Sequence, residues 1–127
     1  MKVNSLFFQQ DLYKDFINLF YFAEAPVKVI THMNDTNALE GDTSASFKIE
    51  LSKKLTSNHK VRCYFKDEQI DLSSNKYAIE IKDFHCILHV KNIELGDEGS
   101  YSIQVDKAKS TADLVVEGIQ IKLNLIE

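Results

Sequence analysis

Three residues of metal-ligating type stand close together in this sequence: His85, Cys86 and His89. A zinc ion would need their nitrogens and sulfur about 2.0 to 2.3 Å away. The residues around them alternate as a strand does. That puts His85 and His89 on one face about 13 Å apart, at roughly 3.3 Å per residue, and turns Cys86 to the other face. The three cannot converge on one ion, and no metal is expected. Ser100 and Ser102 flank Tyr101, but no Gly-x-Ser-x-Gly elbow surrounds them and no motif places a His-Asp pair beside them. Asp97 and Glu98 have the types of an acid–base pair. In a turn, however, Asp97 has local work as an acceptor of backbone N–H bonds, and Glu98 is expected in solvent. Gly41, Gly96 and Gly99 lack both the spacing and the lysine of a phosphate loop. Lys53, Lys54, Lys107 and Lys109 read as scattered, solvated positions. The residues give no catalytic site, no cofactor and no small-molecule substrate.

The elements that carry these residues are strands. Leu88 and Val90 alternate with polar residues, an acidic turn containing Gly96 and Gly99 follows, and Tyr101, Ile103 and Val105 alternate again. The clearest period-2 run is Ala45, Phe47, Ile49 and Leu51, with Ser46, Lys48 and Glu50 on the opposite face. Further strands are expected at Val27–Ile30, with Pro26 before it where no ladder bond is lost, and at 61–66. Three more are expected at Tyr77–Ile81, at about 84–93 and at Ala112–Val116. His32–Asn37 is polar and turn-prone, Asp67–Glu68 is read as a turn, and Lys82–Asp83 as another. Seven or eight short strands with no helical period between them predict an all-β, two-layer antiparallel sandwich.

The 127 residues leave room for one domain, and 44% apolar with 27% charged residues is the composition of an ordinary globular chain. A net charge of -4 without long runs argues against a nucleic-acid footprint. Residues 1–25 stand outside the strand pattern. Leu12, Phe16, Leu19 and Phe20 recur at roughly helical spacing, which predicts a short helix over 10–22. Its eight-residue apolar stretch is too short to span a bilayer. Ala23-Glu24-Ala25 has the small-x-small form of a signal cleavage site, but Asp11 and Asp15 precede it, which weighs against a signal peptide. Asn34-Asp35-Thr36 is a formal glycosylation acceptor. Past Gly118, Ile119, Ile121, Leu123 and Leu125 alternate with polar residues. An uncovered edge of that kind invites aggregation, so residues 119–127 are expected to be covered, with the N-terminal extension as the candidate cover.

Asp97-x-Gly99-x-Tyr101 resembles the E–F corner of intermediate-set immunoglobulin domains. The likeness is strongest to those of giant intracellular muscle proteins such as titin, twitchin, obscurin and myosin-binding protein C. Leu39-Glu40-Gly41-Asp42 resembles the turn into the second strand of that fold, and Tyr64-Phe65-Lys66-Asp67 its Trp-x-Lys-Asp segment. The resemblance covers 26–118 and implies an immunoglobulin-like domain there, flanked by extensions 1–25 and 119–127. It implies that the Tyr101 hydroxyl bonds back to the backbone just upstream. It also implies that Ile49 and Ile103 stand where relatives carry the cross-sheet cysteines, and that Tyr64 replaces the core tryptophan. If Tyr64 points inward, alternation sends Cys63 outward while Cys86 points in with Leu88, so both are expected as free thiols. The expected core is Phe47, Ile49, Leu51, Tyr64, Leu88, Val90, Ile93, Tyr101, Ile103 and Leu114. Apolar contact in place of a crosslink suits a reducing compartment. The resemblance implies a non-enzymatic structural and interaction module of a muscle or cytoskeletal scaffold. Its partners would be neighbouring modules or filament proteins, with no nucleic acid and no membrane. The alternative is an extracellular adhesion or receptor domain.

Overall fold

The computed structural model describes residues 25–119. The helix expected over 10–22, the signal-like head up to Glu24 and the alternating tail from Gln120 lie outside the described residues. The strands are β1 (Val29–Thr31), β2 (Thr36–Leu39), β3 (Ser44–Leu51), β4 (Val61–Phe65), β5 (Glu68–Gln69), β6 (Tyr77–Lys82), β7 (His85–Lys91), β8 (Gly99–Val105) and β9 (Ala108–Glu117). They form two sheets, in the orders β1-β3-β7-β6 and β2-β9-β8-β4-β5. The described residues form the expected all-β sandwich.

Alternation builds the core. Ala45, Phe47, Ile49 and Leu51 of β3 point inward and meet Val90, Leu88 and Cys86 of β7 in register, Phe47 opposite Leu88 and Ile49 opposite Cys86. From the second sheet come Tyr101, Ile103 and Val105 of β8 with Ala112, Leu114 and Val116 of β9. Ile49, Leu88, Ile103 and Leu114 are each 0% exposed. Full burial of a large aliphatic side chain contributes roughly 1.5 to 3 kcal/mol before ordering entropy is subtracted.

One expected core residue is wrong. Tyr64 is only half-buried, with the Lys109 ammonium 5.1 Å from its ring centroid, whereas Cys63 is 0% exposed. Register is the reason. β4 pairs with β8 so that Cys63 lies opposite Ile103 and Phe65 opposite Tyr101. Directly opposed residues share a face, so the inward set of β4 is odd-numbered. A tight turn at Lys66 and Asp67, with φ of 51° and 67°, closes the hairpin to β5. The turn thus falls one residue earlier than the Asp67–Glu68 position expected from sequence.

The polar stretch read as a turn, His32–Asn37, contains the start of β2, which runs parallel to β9 from Thr36 opposite Leu114 to Leu39 opposite Glu117. β9 begins at Ala108, four residues earlier than expected. Its Ser110, 2% exposed, takes a bond from the Met33 N–H (2.9 Å) and lies 2.9 Å from His32 Nδ1. That buried hydroxyl ties the lead-in of β2 to β9.

Candidate functional site

The corner between β7 and β8 is the most organised polar site. A single 3-10 turn, Leu95–Asp97, follows Glu94, and the Tyr101 hydroxyl donates to the Asp97 carbonyl oxygen at 2.5 Å. Asp97 is 6% exposed. Its carboxylate Oδ2 accepts from the Glu94 N–H and from the Lys76 ammonium, both at 2.7 Å. Asp97 therefore does the local work expected of it. Glu98 does more than expected: although exposed, its Oε1 accepts the Val116 N–H at 2.9 Å and ties the corner to β9. Gly99, with φ of +148°, leaves no space for a Cβ, which would sit 2.9 Å from the Phe65 ring and 2.8 Å from Lys66 Cε. Phe65 stacks on Tyr101 at 4.6 Å between centroids, and Phe47 lies 5.2 Å from it on the other side. Burial first, then the charges of Tyr77 and Asp97, pushes the Tyr101 phenol well above its ordinary range.

The thiols and histidines separate as strand geometry requires. Cys86 is in the core and His85 and His89 are on the outer face of β7. Cys63 and Cys86 are both free and buried. Burial pushes the Cys63 thiol up to about 12, with the charge Cys86 would carry adding to it. Burial likewise pushes Cys86 up to about 11. Both are held as inert thiols, since the thiolate is the nucleophile.

Sequence reasoning missed one constellation of chemical interest. Ser46 Oγ lies 2.7 Å from His89 Nδ1, and His89 Nε2 lies 2.9 Å from Glu80 Oε1, across β3, β7 and β6. These are the residue types of a hydroxyl, a base and an orienting carboxylate. Acyl transfer also needs donors aimed at the developing oxyanion. β3 and β7 are interior strands of their sheet, so their N–H groups serve the ladders on either side. The line ties three strands together on an open face. Only the strand register reveals it, because Ser46 and His89 face each other 43 residues apart.

No family model matches the sequence. Among solved structures, the domain is similar to an "IG27 protein domain" at 26% identity and TM-score 0.65, spanning 74% of this chain and 100% of that one. Similarity to domain I81 of titin is 28% identity at TM-score 0.63, over 76% of this chain and 99% of that one. The described residues form an immunoglobulin-like domain of the titin type. A titin tandem, I9–I11, matches with TM-score 0.66 at 24% identity, and this chain spans about a third, 34%, of its length.

Within this immunoglobulin-like domain, Ile49 and Ile103 lie in one core cluster with the two free thiols. Apolar packing fills the places where the resemblance puts a disulfide. Among the described residues no group of three His, Cys, Asp or Glu side chains could hold a metal ion, and no helix is long and apolar enough to cross a membrane. The remaining candidate features are the ladder that joins β2 to β9 and the two ends of the sandwich.

Proposed function

We propose that this chain is a non-enzymatic structural and protein-interaction module of an intracellular muscle or cytoskeletal scaffold, with the immunoglobulin-like domain at 26–118 and flanking extensions at 1–25 and 119–127. Its likeness to titin domains supports the scaffold class. The observation that carries the mechanical part is the parallel pairing of β2 with β9. The chain enters β2 at one end of the sandwich and leaves β9 at the other, and both strands run the same way. Tension applied at the two termini pulls them in opposite directions along their axes. Their ladder is then loaded in shear, all bonds together. It is bracketed by the Asp113 N–H on Asp35 Oδ1 (2.9 Å) and the Glu40 N–H on the Glu117 carbonyl (2.8 Å). With no crosslink between the sheets, resistance rests on these bonds and on the apolar core.

Single-molecule pulling of the wild-type chain and of Ala38→Pro tests this. Ala38 lies two residues before Glu40, so its N–H points the same way, toward β9, and proline removes that donor. The variant is expected to unfold at clearly lower force. Equal forces would remove the β2–β9 ladder from the mechanism.

A second reading, an extracellular adhesion or receptor domain, is favoured by the exposed Asn34 of the Asn34-Asp35-Thr36 acceptor. Expression behind an export reporter separates the two. Efficient secretion with glycan on Asn34 would select the extracellular reading.

A further inference from the structure

We propose that copies of this chain associate head to tail, the acidic, leucine-bearing end of one sandwich docking on the lysine-rich end of the next. The inference deepens the reading as a protein-interaction module and depends on it. Strand direction sorts the charged residues. β3 ends at Leu51 beside Lys28 and Phe84, because the Ser52 N–H bonds to the Lys28 carbonyl and the Leu51 N–H to that of Phe84. The Asp106 N–H bonds to the Lys60 carbonyl at the same end. The turns gathered there carry Lys28, Lys54, Lys60 and Lys107, all exposed. The sequence scatters these lysines over 80 residues, and the fold collects them. Three acids share that end, Glu50, Asp83 and Asp106; Glu50 accepts from the Thr31 hydroxyl at 2.8 Å and Asp106 from the Lys60 N–H at 2.9 Å. Phe84, 40% exposed, lies under the Lys54 ammonium at 6.0 Å.

The opposite end has the reverse character. There the Gly41 N–H bonds to the Ile93 carbonyl and the Glu40 N–H to that of Glu117, bringing together the turn before β3, the corner and the end of β9. Glu40, Glu94, Glu98 and Glu117 cluster there, with Lys66, Lys76 and Lys91 as the opposing cations, Lys66 lying over the Phe65 ring at 5.2 Å and Lys76 already held by Asp97. Leu39, Leu95 and Ile119 are 54%, 52% and 56% exposed. Leu95 Cδ2 is the nearest neighbour of a Cβ built on Gly118, at 3.5 Å. An open depression of about 560 Å³ lies between Leu39, Glu117 and Ile119.

The two poles are about 30 Å apart, taking the ten residues of β9 at roughly 3.3 Å each. That exceeds the Debye length of about 8 Å at physiological salt, so each pole meets a partner as a separate charged surface. A surface that complements a different surface of the same molecule makes a heterologous contact, which propagates as an open chain instead of closing into a dimer. One end of a sandwich buries little area, so the contact belongs to the weak class below about 1,200 Å², steered by charge.

Sedimentation velocity of the full 127-residue chain tests this over a concentration series, at about 0.01 M and about 1 M salt, where the Debye lengths are about 30 Å and 3 Å. The sedimentation coefficient is expected to rise with concentration at low salt and to stay flat at high salt. Lys54→Glu with Lys107→Glu makes both ends acidic, and Glu94→Lys with Glu117→Lys makes both ends basic. Each double variant alone is expected to lose the concentration dependence, and an equimolar mixture of the two to recover it. Circular dichroism establishes that both variants fold. A wild-type chain that stays monomeric at low salt overturns the proposal, as when the acidic end is covered by the chain's own tail. Association untouched by salt and by both variants also overturns it, by placing the contact on the apolar head. Recovery failing in the mixture overturns it as well. Each of these outcomes leaves the pulling experiment on Ala38→Pro as a separate test of the module itself.

Discussion

Tyr101→Phe removes one oxygen atom from the core and leaves the ring in place between Phe65 and Phe47. The lost atom donates to the Asp97 carbonyl at 2.5 Å, inside a corner where Asp97 is buried. A typical hydrogen bond contributes about 1 kcal/mol net, and an orphaned buried acceptor raises the cost toward about 3 kcal/mol. The expected destabilisation is about 2 kcal/mol. At about 4 to 8 °C per kcal/mol for a domain of this size, Tm falls by about 8 to 16 °C. Urea unfolding at pH 7 should show a lower midpoint with an unchanged slope, since the surface exposed on unfolding is the same. The effect also has a pH signature. The phenol's folded pKa is raised by burial, so above the unfolded value near 10 the native state keeps a proton that the unfolded chain has lost. Stability from this source is complete below pH 10 and declines as pH rises beyond it. The wild type and Tyr101→Phe should therefore converge in stability above pH 10. A phenylalanine variant with the wild-type midpoint at pH 7 would refute the idea that the hydroxyl pins the corner.

Gly99→Ala should cost about 2 to 4 kcal/mol, because φ of +148° strains any side chain and the new methyl meets the stacked Phe65 ring. The same urea titration reads it. Cys63 and Cys86 should resist thiol reagents in the native state and react fully in denaturant. Their raised folded values, about 12 and about 11 against 9.0, mean that their protonated forms support the fold below pH 9 and that this support is lost as pH rises through 11 to 12. A loss of stability beginning near pH 9 in Tyr101→Phe, absent when both cysteines are also replaced by alanine, checks the assignment. Tyr64→Ala should cost no more than about 1 kcal/mol, the order of a surface cation–π contact with Lys109, where a core aromatic would cost about 3 to 5 kcal/mol.

The sandwich is legible wherever one strand face is buried and the other wet, as in Ala45 to Leu51, where alternation alone assigns each side chain. The corner is legible because its turn chemistry is local: Asp97, Gly99 and Tyr101 act within five residues of one another. What escaped was set by distant pairing. Whether Cys63 or Tyr64 enters the core depends on a one-residue register choice, decided by the turn at Lys66 and Asp67 and by β8 forty residues on. Strand β2 has polar, turn-forming composition and exists because β9 offers its edge 78 residues later, Thr36 opposite Leu114. Ser46, His89 and Glu80 likewise meet through register, and the lysines of three separated segments, Lys28, Lys54 with Lys60, and Lys107, meet only because those segments share one end.

Direction of loading is decisive: the β2–β9 ladder resists because the termini load it in shear. Pulling the same chain in two geometries tests that with no bond altered. Handles near Pro26 and Gly118 load the ladder along its strands. Handles on Asn34→Cys and Asp113→Cys, beside the Asp113 N–H bond to Asp35 Oδ1 at one end of the ladder, leave that bond in place and peel the ladder open bond by bond. A markedly higher unfolding force is expected from the terminal handles. Equal forces in the two geometries would contradict it.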